Sequence, residues 1–445
     1  MLGALEGTHA IEKSSVLYKP EASIDMSITT DVFAHWSKRQ EVSNATVFGI
    51  LEQSKKDPCY SSSYNIPEKS LYGIAHAIQK KVGSSVNKKT KIVVGVLGDS
   101  VAAQPEGFVP ALESYLTLSP FFPFDDVEVR NYAKGATGAR FTYFCNDLRG
   151  DEDIVVFENV RPYEQDSVFD LASSLKNKGY GVILVNWHGA KSWKRPYYPN
   201  LYGFRRASTE LNIPLIDLSQ DYQKVVQCLP QDFNFSRPVK ELIHGDDVHP
   251  NYVGQLFIAT MIGHVFDKVA LLRKDIDWEN DNMGFQMGNT TSARSPVCFN
   301  KLNCTLDEEA RNPSCLKVTD KSGFQLRSLP NGKSWWEGTA PGHHIEFDLR
   351  AKCTEIILFI NKRTTNGMVK VDIDGKVTNS TLSEGTLDFY SEQLWWLPKS
   401  RGLLTEVVIA SNLEREQHTV RLEVQNETHS EDGTFKVDFT SASCL

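Results

Sequence analysis

Lys91-Ile92-Val93-Val94-Gly95-Val96-Leu97-Gly98-Asp99-Ser100 is an apolar, β-branched run that stops abruptly at Gly-Asp-Ser. A strand covered on both faces reads as continuous Val, Ile and Leu, and a glycine at its exit lets the backbone turn tightly enough to present the next side chain. The run therefore predicts a buried strand over 91–98 with a serine at its carboxyl end. Taken alone, Gly98, Asp99 and Ser100 also make an ordinary turn, because all three residue types favour turns. The weight of the tripeptide depends on whether the chain supplies a base and an oxyanion donor elsewhere.

Outward from this strand, apolar runs alternate with helical spacing. Strands are predicted at 126–132, 153–158, 180–186 and 213–217, with helices near 107–117, 166–177, 202–211, 219–227 and 251–272. Such alternation argues for a parallel sheet with helices on both faces, a three-layer α/β domain that binds ligands at the carboxyl ends of its strands. Upstream, residues 1–68 are polar and mixed in sign, and a helix over 70–82 has Ser70 placed to cap it and Lys80 and Lys81 near its end. After about Lys274 the texture changes to short strand-like runs at 344–349, 355–360, 369–373, 406–410 and 418–424, with a hairpin signal at Asp374-Gly375. That pattern indicates an antiparallel β-sandwich. The division is thus an extension over 1–88 packing on the next domain, an α/β domain over 89–274 and a β-sandwich over 275–445 that is a candidate carbohydrate-binding unit.

A length of 445 residues exceeds one hydrophobic core, and a net charge of −8 offers no basic field for nucleic acid or anionic membrane. No stretch reaches the roughly 18 to 20 apolar residues of a spanning helix. The eight cysteines form no Cys-x2-Cys pairs, so disulfides are the better reading than zinc. Asn-x-Ser/Thr acceptor sites occur at Asn44, Asn234, Asn289, Asn303, Asn379 and Asn426. Together they favour a secreted or lumenal protein, although Met1–Ala10 lacks the pattern of a signal peptide. No metal or other cofactor is called for, and a monomer is the default.

The strand ends carry the chemistry. Asn131-Tyr132-Ala133-Lys134-Gly135-Ala136-Thr137-Gly138 is a small-residue loop in which the Gly135 N–H is placed to donate to an oxyanion; read alone, it is equally a plain turn. It lacks the spacing of a phosphate loop. Much later, His244-Gly245-Asp246-Asp247-Val248-His249-Pro250 precedes the last helix. A base that takes a serine proton must be held in one tautomer by a carboxylate, and a short Asp-x-x-His turn supplies both. His249 is the candidate base and Asp246 its orienting acid, with His244 and Asp247 as runners-up; a helix start with a surface histidine is the bland alternative.

Gly98-Asp99-Ser100, Gly135 and Asp246-x-x-His249-Pro250 resemble, in order and spacing, blocks I, II and V of the GDSL or SGNH hydrolases. The resemblance covers about residues 90–273. It implies a flavodoxin-like domain, a Ser100–His249–Asp246 triad, and an oxyanion hole made by the N–H groups of Ser100 and Gly135 with an asparagine side chain from block III. That third block departs from the family's Gly-x-Asn-Asp: residues 153–165 read DIVVFENVRPYEQ, whose only asparagine, Asn159, comes a few positions early. The Gly-x-Ser-x-Gly elbow of α/β-hydrolases is excluded by Ala102.

Trp187, His188 and Trp193 follow another strand end and are candidates to face a sugar, with burial against the second domain as the equal alternative. Of the pairs Trp335-Trp336 and Trp395-Trp396, one residue each is expected in the core. The reading is a serine esterase removing acyl, chiefly acetyl, groups from a glycan or related ester. The alternatives are an O-acyltransferase using the same triad, or a non-catalytic glycan-binding or cell-surface protein with a decayed site.

Overall fold

The computed structural model describes residues 66–83, 91–105, 107–118, 126–135, 137–159, 165–187, 200–217, 249–250, 252–272, 297–302, 304, 314–329, 334–377, 385–390, 403–430 and 432–445. The helix predicted at 219–227, residues 1–65 and Trp395-Trp396 lie outside them.

Five parallel strands, β1 (Lys91–Gly98), β2 (Asp126–Asn131), β3 (Ile154–Glu158), β4 (Gly181–Asn186) and β5 (Leu215–Asp217), pair in the order β2-β1-β3-β4-β5. This is the flavodoxin-like order, whose switch point lies between β1 and β3. The side chains of the central strands alternate between two layers. Ile92, Val94, Val96, Ile154, Val156, Ile183 and Val185 join one core, and Leu97, Val155, Phe157, Val182 and Leu184 join the other. Burial on both faces is what the continuous Val/Ile runs encode.

The first core is covered by α1 (Glu68–Gly83), α2 (Phe108–Leu118) and α6 (Tyr252–Leu272). The second is covered by α4 (Gln165–Asn177) and α5 (Asn200–Leu211); a short helix, α3 (Ala139–Cys145), precedes β3. Helix α1 starts before Ser70, whose hydroxyl donates back to the Pro67 carbonyl at 2.6 Å instead of capping from outside. Its Leu71, Ile74, Ala75 and Ile78 pack into the α/β core. Pairing of α2 with α6 depends on Gly263, where an added Cβ would lie 2.4 Å from the Tyr115 ring. The phenol also donates to Asp267 Oδ2 at 2.6 Å.

The second domain is one antiparallel ladder of β6 (Val297–Phe299), β7 (Lys317–Ser322), β8 (Gln325–Ser328), β9 (Ser334–Gly338), β10 (His344–Lys362), β11 (Met368–Ile373), β12 (Lys376–Val377), β13 (Thr386–Asp388), β14 (Leu403–Val424) and β15 (Val437–Cys444). The two pairs of runs expected at 344–360 and 406–424 are each one long strand. The polar break at Arg350–Lys352 is absorbed by bulges between Leu349, Cys353 and Glu355 and does not make a turn. The first half of β10 has β7 as its outer neighbour and the second half has β15, yet Ile345, Phe347, Leu349, Ile356, Leu358 and Ile360 share one core. Asp374-Gly375 forms the predicted β11–β12 hairpin with φ of 53° and 73°, the left-handed values of a type I′ turn. Trp336 is buried in this core and Trp335 is half-buried.

Disulfides join Cys145 to Cys298, Cys304 to Cys315 and Cys353 to Cys444, and the first crosses between domains. Cys59 and Cys228 lie outside the described residues. Among the described residues no helix is long and apolar enough to cross a membrane.

Gly263→Ala tests the α2–α6 contact. Overpacking against Tyr115 is expected to lower unfolding free energy by about 1–3 kcal/mol, read from the denaturant midpoint, despite the higher helix propensity of alanine. An unchanged or raised midpoint would show that the ring moves aside freely.

Candidate active site

β1 ends at Gly98, and the chain turns at once, the Ala103 N–H donating to the Asp99 carbonyl at 2.9 Å. Ser100 stands on this turn, half-buried, and its Oγ lies 2.9 Å from Nε2 of His249, 149 residues later. The meeting is secured by Gln255 in the first turn of α6. Its Oε1 accepts from the Phe108 N–H at 2.8 Å, and its Nε2 donates to Gln104 Oε1 at 2.6 Å and to the Val101 carbonyl at 3.4 Å. A fully buried amide satisfied on both ends bolts the helix that follows His249-Pro250 to the turn that carries Ser100. Asp246, Asp247 and His244 lie outside the described residues.

The loop after β2 extends the β1–β2 ladder beyond the strand ends. Tyr132 N–H donates to Val96 O at 2.8 Å and Lys134 N–H to Gly98 O at 3.0 Å. Asn131 Nδ2 donates to Ala102 O at 2.8 Å, while its Oδ1 accepts from the Ala133 N–H at 3.0 Å. Gly135 follows Lys134 immediately and is half-buried. On the other side of β1, Glu158 pairs with Gly98, so Asn159 is the first residue beyond β3; it is buried, and its N–H donates to the Val185 carbonyl at 3.4 Å. The Ser100 N–H itself donates to Asp99 Oδ1 at 2.7 Å.

The sequence reading missed Glu158. It is fully buried directly under the turn, its Oε2 accepting from the Ala102 N–H at 3.3 Å and its Oε1 without a hydrogen-bond partner among the described residues. A Cβ on Gly98 would lie 2.9 Å from Glu158 Oε2, the Glu158 carbonyl and the Ala102 Cβ, so only glycine fits there. Burial, and then the charge of Asp99, pushes the Glu158 carboxyl up to about 8. It is therefore mainly a neutral acid near pH 7. The available signal was an acid closing an otherwise apolar strand, in register with Gly98. Gln255 was equally legible as an amide in an apolar helix.

Trp187 corrects a sequence expectation. Its indole is 1% exposed and belongs to the α/β core with Val185 and Ile216. The β4 run simply continues one residue further into the core. His188 and Trp193 lie outside the described residues, as do Asn44, Asn234, Asn289, Asn303 and Asn379; Asn426 is exposed just after β14.

A second cluster, Asp374, Glu416 and His418, brings three possible metal-binding side chains together in the β-domain. His418 Nδ1 lies 2.7 Å from Asp374 Oδ2 and Nε2 lies 3.0 Å from the Glu414 carbonyl. Both ring nitrogens therefore face acceptors, which suits an imidazolium; the Asp374 and carbonyl bonds outweigh burial and raise its pKa.

Glu158 gives a pH signature. A carboxyl raised to about 8 keeps a proton in the folded chain that the unfolded chain loses above about 4.5, so its stabilising contribution is full below 4.5 and falls as pH rises toward 8. Glu158→Gln does not titrate, and its denaturation midpoint relative to the natural protein should rise steadily from about pH 5 to about pH 8. A constant difference across that window would mean that Glu158 ionises normally.

No protein-family model and no curated protein sequence matches the chain. Among solved structures, a two-domain esterase active on acetylated mannans, co-crystallised with mannopentaose, aligns over 82% of this chain and 93% of its own, at 17% identity and a TM-score of 0.54. A second structure of a two-domain esterase active on acetylated mannans aligns over 83% and 94%, at 16% identity and a TM-score of 0.52. A lipase/acylhydrolase from Enterococcus faecalis aligns over 40% of this chain and 95% of its own, at 16% identity and a TM-score of 0.30. The chain shares the two-domain fold of these esterases, a parallel α/β domain followed by an antiparallel β-domain.

Proposed function

We propose that this protein is a secreted serine esterase of the SGNH type that removes acetyl groups from a glycan. The observation that carries the reading is the 2.9 Å approach of His249 Nε2 to Ser100 Oγ at the switch point of the parallel sheet. A serine hydroxyl is a weak nucleophile until a base takes its proton as it attacks. His249 is that base, and Asp246, three residues earlier, holds the imidazole in the required tautomer.

Attack of Ser100 Oγ on the ester carbonyl, its proton passing to His249, gives a tetrahedral oxyanion; collapse breaks the bond to the sugar oxygen, which takes that proton from His249 and leaves as the hydroxyl. Water, activated by the same histidine, then hydrolyses the acyl-enzyme and releases acetate. The oxyanion is met by the N–H groups of Ser100 and Gly135 and by the Asn159 side chain, and each such donor is worth about 10²- to 10³-fold in turnover. For Ser100 to contribute, its N–H must be shared between Asp99 Oδ1 and the developing charge.

The glycan preference draws on the two-domain mannan esterases, which share the architecture of this chain. Three disulfides among the described residues suit an oxidising compartment, and the exposed Asn426 is available for glycosylation there.

The decisive assay compares the natural protein with Ser100→Ala and His249→Ala on acetylated mannan and on a chromogenic acetyl ester. Acetate release should fall on the order of 10⁴-fold or more in both variants. Equal activity, or equal inertness, of all three proteins would remove the enzymatic reading. Good turnover of lipid esters with none of acetylated mannan would overturn the glycan assignment alone.

A further inference from the structure

Helix α3 starts where the Gly135 loop ends, and its outward face belongs to the other domain. Phe141, Phe144 and Cys145 form one buried cluster with Cys298, Ile357 and Phe359 of the β-domain. The Phe141 and Phe359 rings meet edge to face with centroids 4.9 Å apart, and the Cys145–Cys298 disulfide closes the same contact. Apolar burial and a covalent bond thus anchor the far end of the loop to the second domain.

The near end has a polar tether. Asn300, just after β6, donates from Nδ2 to Asp147 Oδ1 at 3.1 Å, and Asp147 Oδ2 lies 2.8 Å from Lys134 Nζ. Lys134 is the residue before Gly135, and its N–H is bonded to the Gly98 carbonyl, two residues before Ser100. Its own carbonyl accepts from both the N–H and the hydroxyl of Thr137, which closes the loop on itself. A continuous path, Asn300 to Asp147 to Lys134, therefore leads from the β-domain to the backbone beside the candidate nucleophile.

We propose that the β-domain is a working part of the active site: Asn300, Asp147 and Lys134 are positioning residues that hold the Gly135 N–H where the oxyanion forms. This rests on the role assigned to Gly135 above and extends it to residues on both domains. The lysine–carboxylate pair is partly exposed, and such a pair contributes little to stability. Position is another matter, because a displacement of about 1 Å in catalytic geometry can cost up to about 10²-fold in rate. Asp147 is held below the usual carboxylate range, burial being outweighed by Lys134 and the Asn300 amide, which favours its ionised, Lys134-paired form.

The test uses the full chain and a small chromogenic acetyl ester, too small to depend on a carbohydrate surface. Lys134→Met and Asn300→Ala should lower kcat by about 10-fold while KM stays within about 2-fold and the melting temperature stays near that of the natural protein. Lys134→Arg, which keeps the ion pair, should recover most of the rate. A purely structural role predicts equal losses for Met and Arg that follow the melting temperature, and that pattern overturns the proposal. So do unchanged kcat values in an enzyme that Ser100→Ala inactivates, an outcome that leaves the esterase reading intact. An inert natural protein removes the esterase reading and this inference with it.

Discussion

The structure depends on the close approach of β1 and β3 at one point, Gly98. Any side chain there would meet the Glu158 carbonyl and carboxyl and the Ala102 Cβ together, each at 2.9 Å. Because the position has no side chain, the turn after β1 can fold down onto the end of β3. Glu158 then receives the Ala102 N–H, and the Ser100 hydroxyl on the same turn lies 2.9 Å from His249 Nε2. A fully buried carboxyl is costly when charged, so the site is built over a group that stays largely neutral. Gln255 completes the arrangement from the opposite side by pinning α6, and with it His249, to the same turn.

Much of this was legible in the residues because burial on both faces writes a distinctive signal. The Ile92–Leu97, Ile154–Phe157 and Val182–Val185 runs are uninterrupted, and each is a central strand between two helical layers. Gly98-Asp99-Ser100 and His249 were legible as a pair because both sit at boundaries of periodic segments. What stayed hidden has physical causes. Helix α3 is only 7 residues long, too short for a helical period to show. The bends in β10 are bulges, which locally look like turns in composition. Asn159 seemed out of place when counted along the chain; strand register makes it the first residue beyond β3, whose last residue, Glu158, pairs with Gly98. Trp187 is buried, as one of its two readings had it, but in the α/β core that its own strand continues and not against the second domain.

The pairing of domains could not be read from one dimension at all. Cysteine count gave disulfides, but no spacing rule says that Cys145 should find Cys298. That bond, the Phe141–Phe359 contact and the Asn300–Asp147 hydrogen bond all converge on one short helix and the loop leading into it. The two-domain esterases active on acetylated mannans share this fold over most of the chain.

The Cys145–Cys298 bond has a topological consequence. With the two sulfurs joined across 153 positions, the end of the α/β domain is enclosed in a covalent ring whose closure runs through the domain interface. Restricting so long a loop withdraws roughly 5 kcal/mol of chain entropy from the unfolded ensemble on the simple polymer view. A single backbone cut within the ring opens it without parting the molecule, and the strand of Ser100 and the β-domain remain one covalent species until the cystine is reduced.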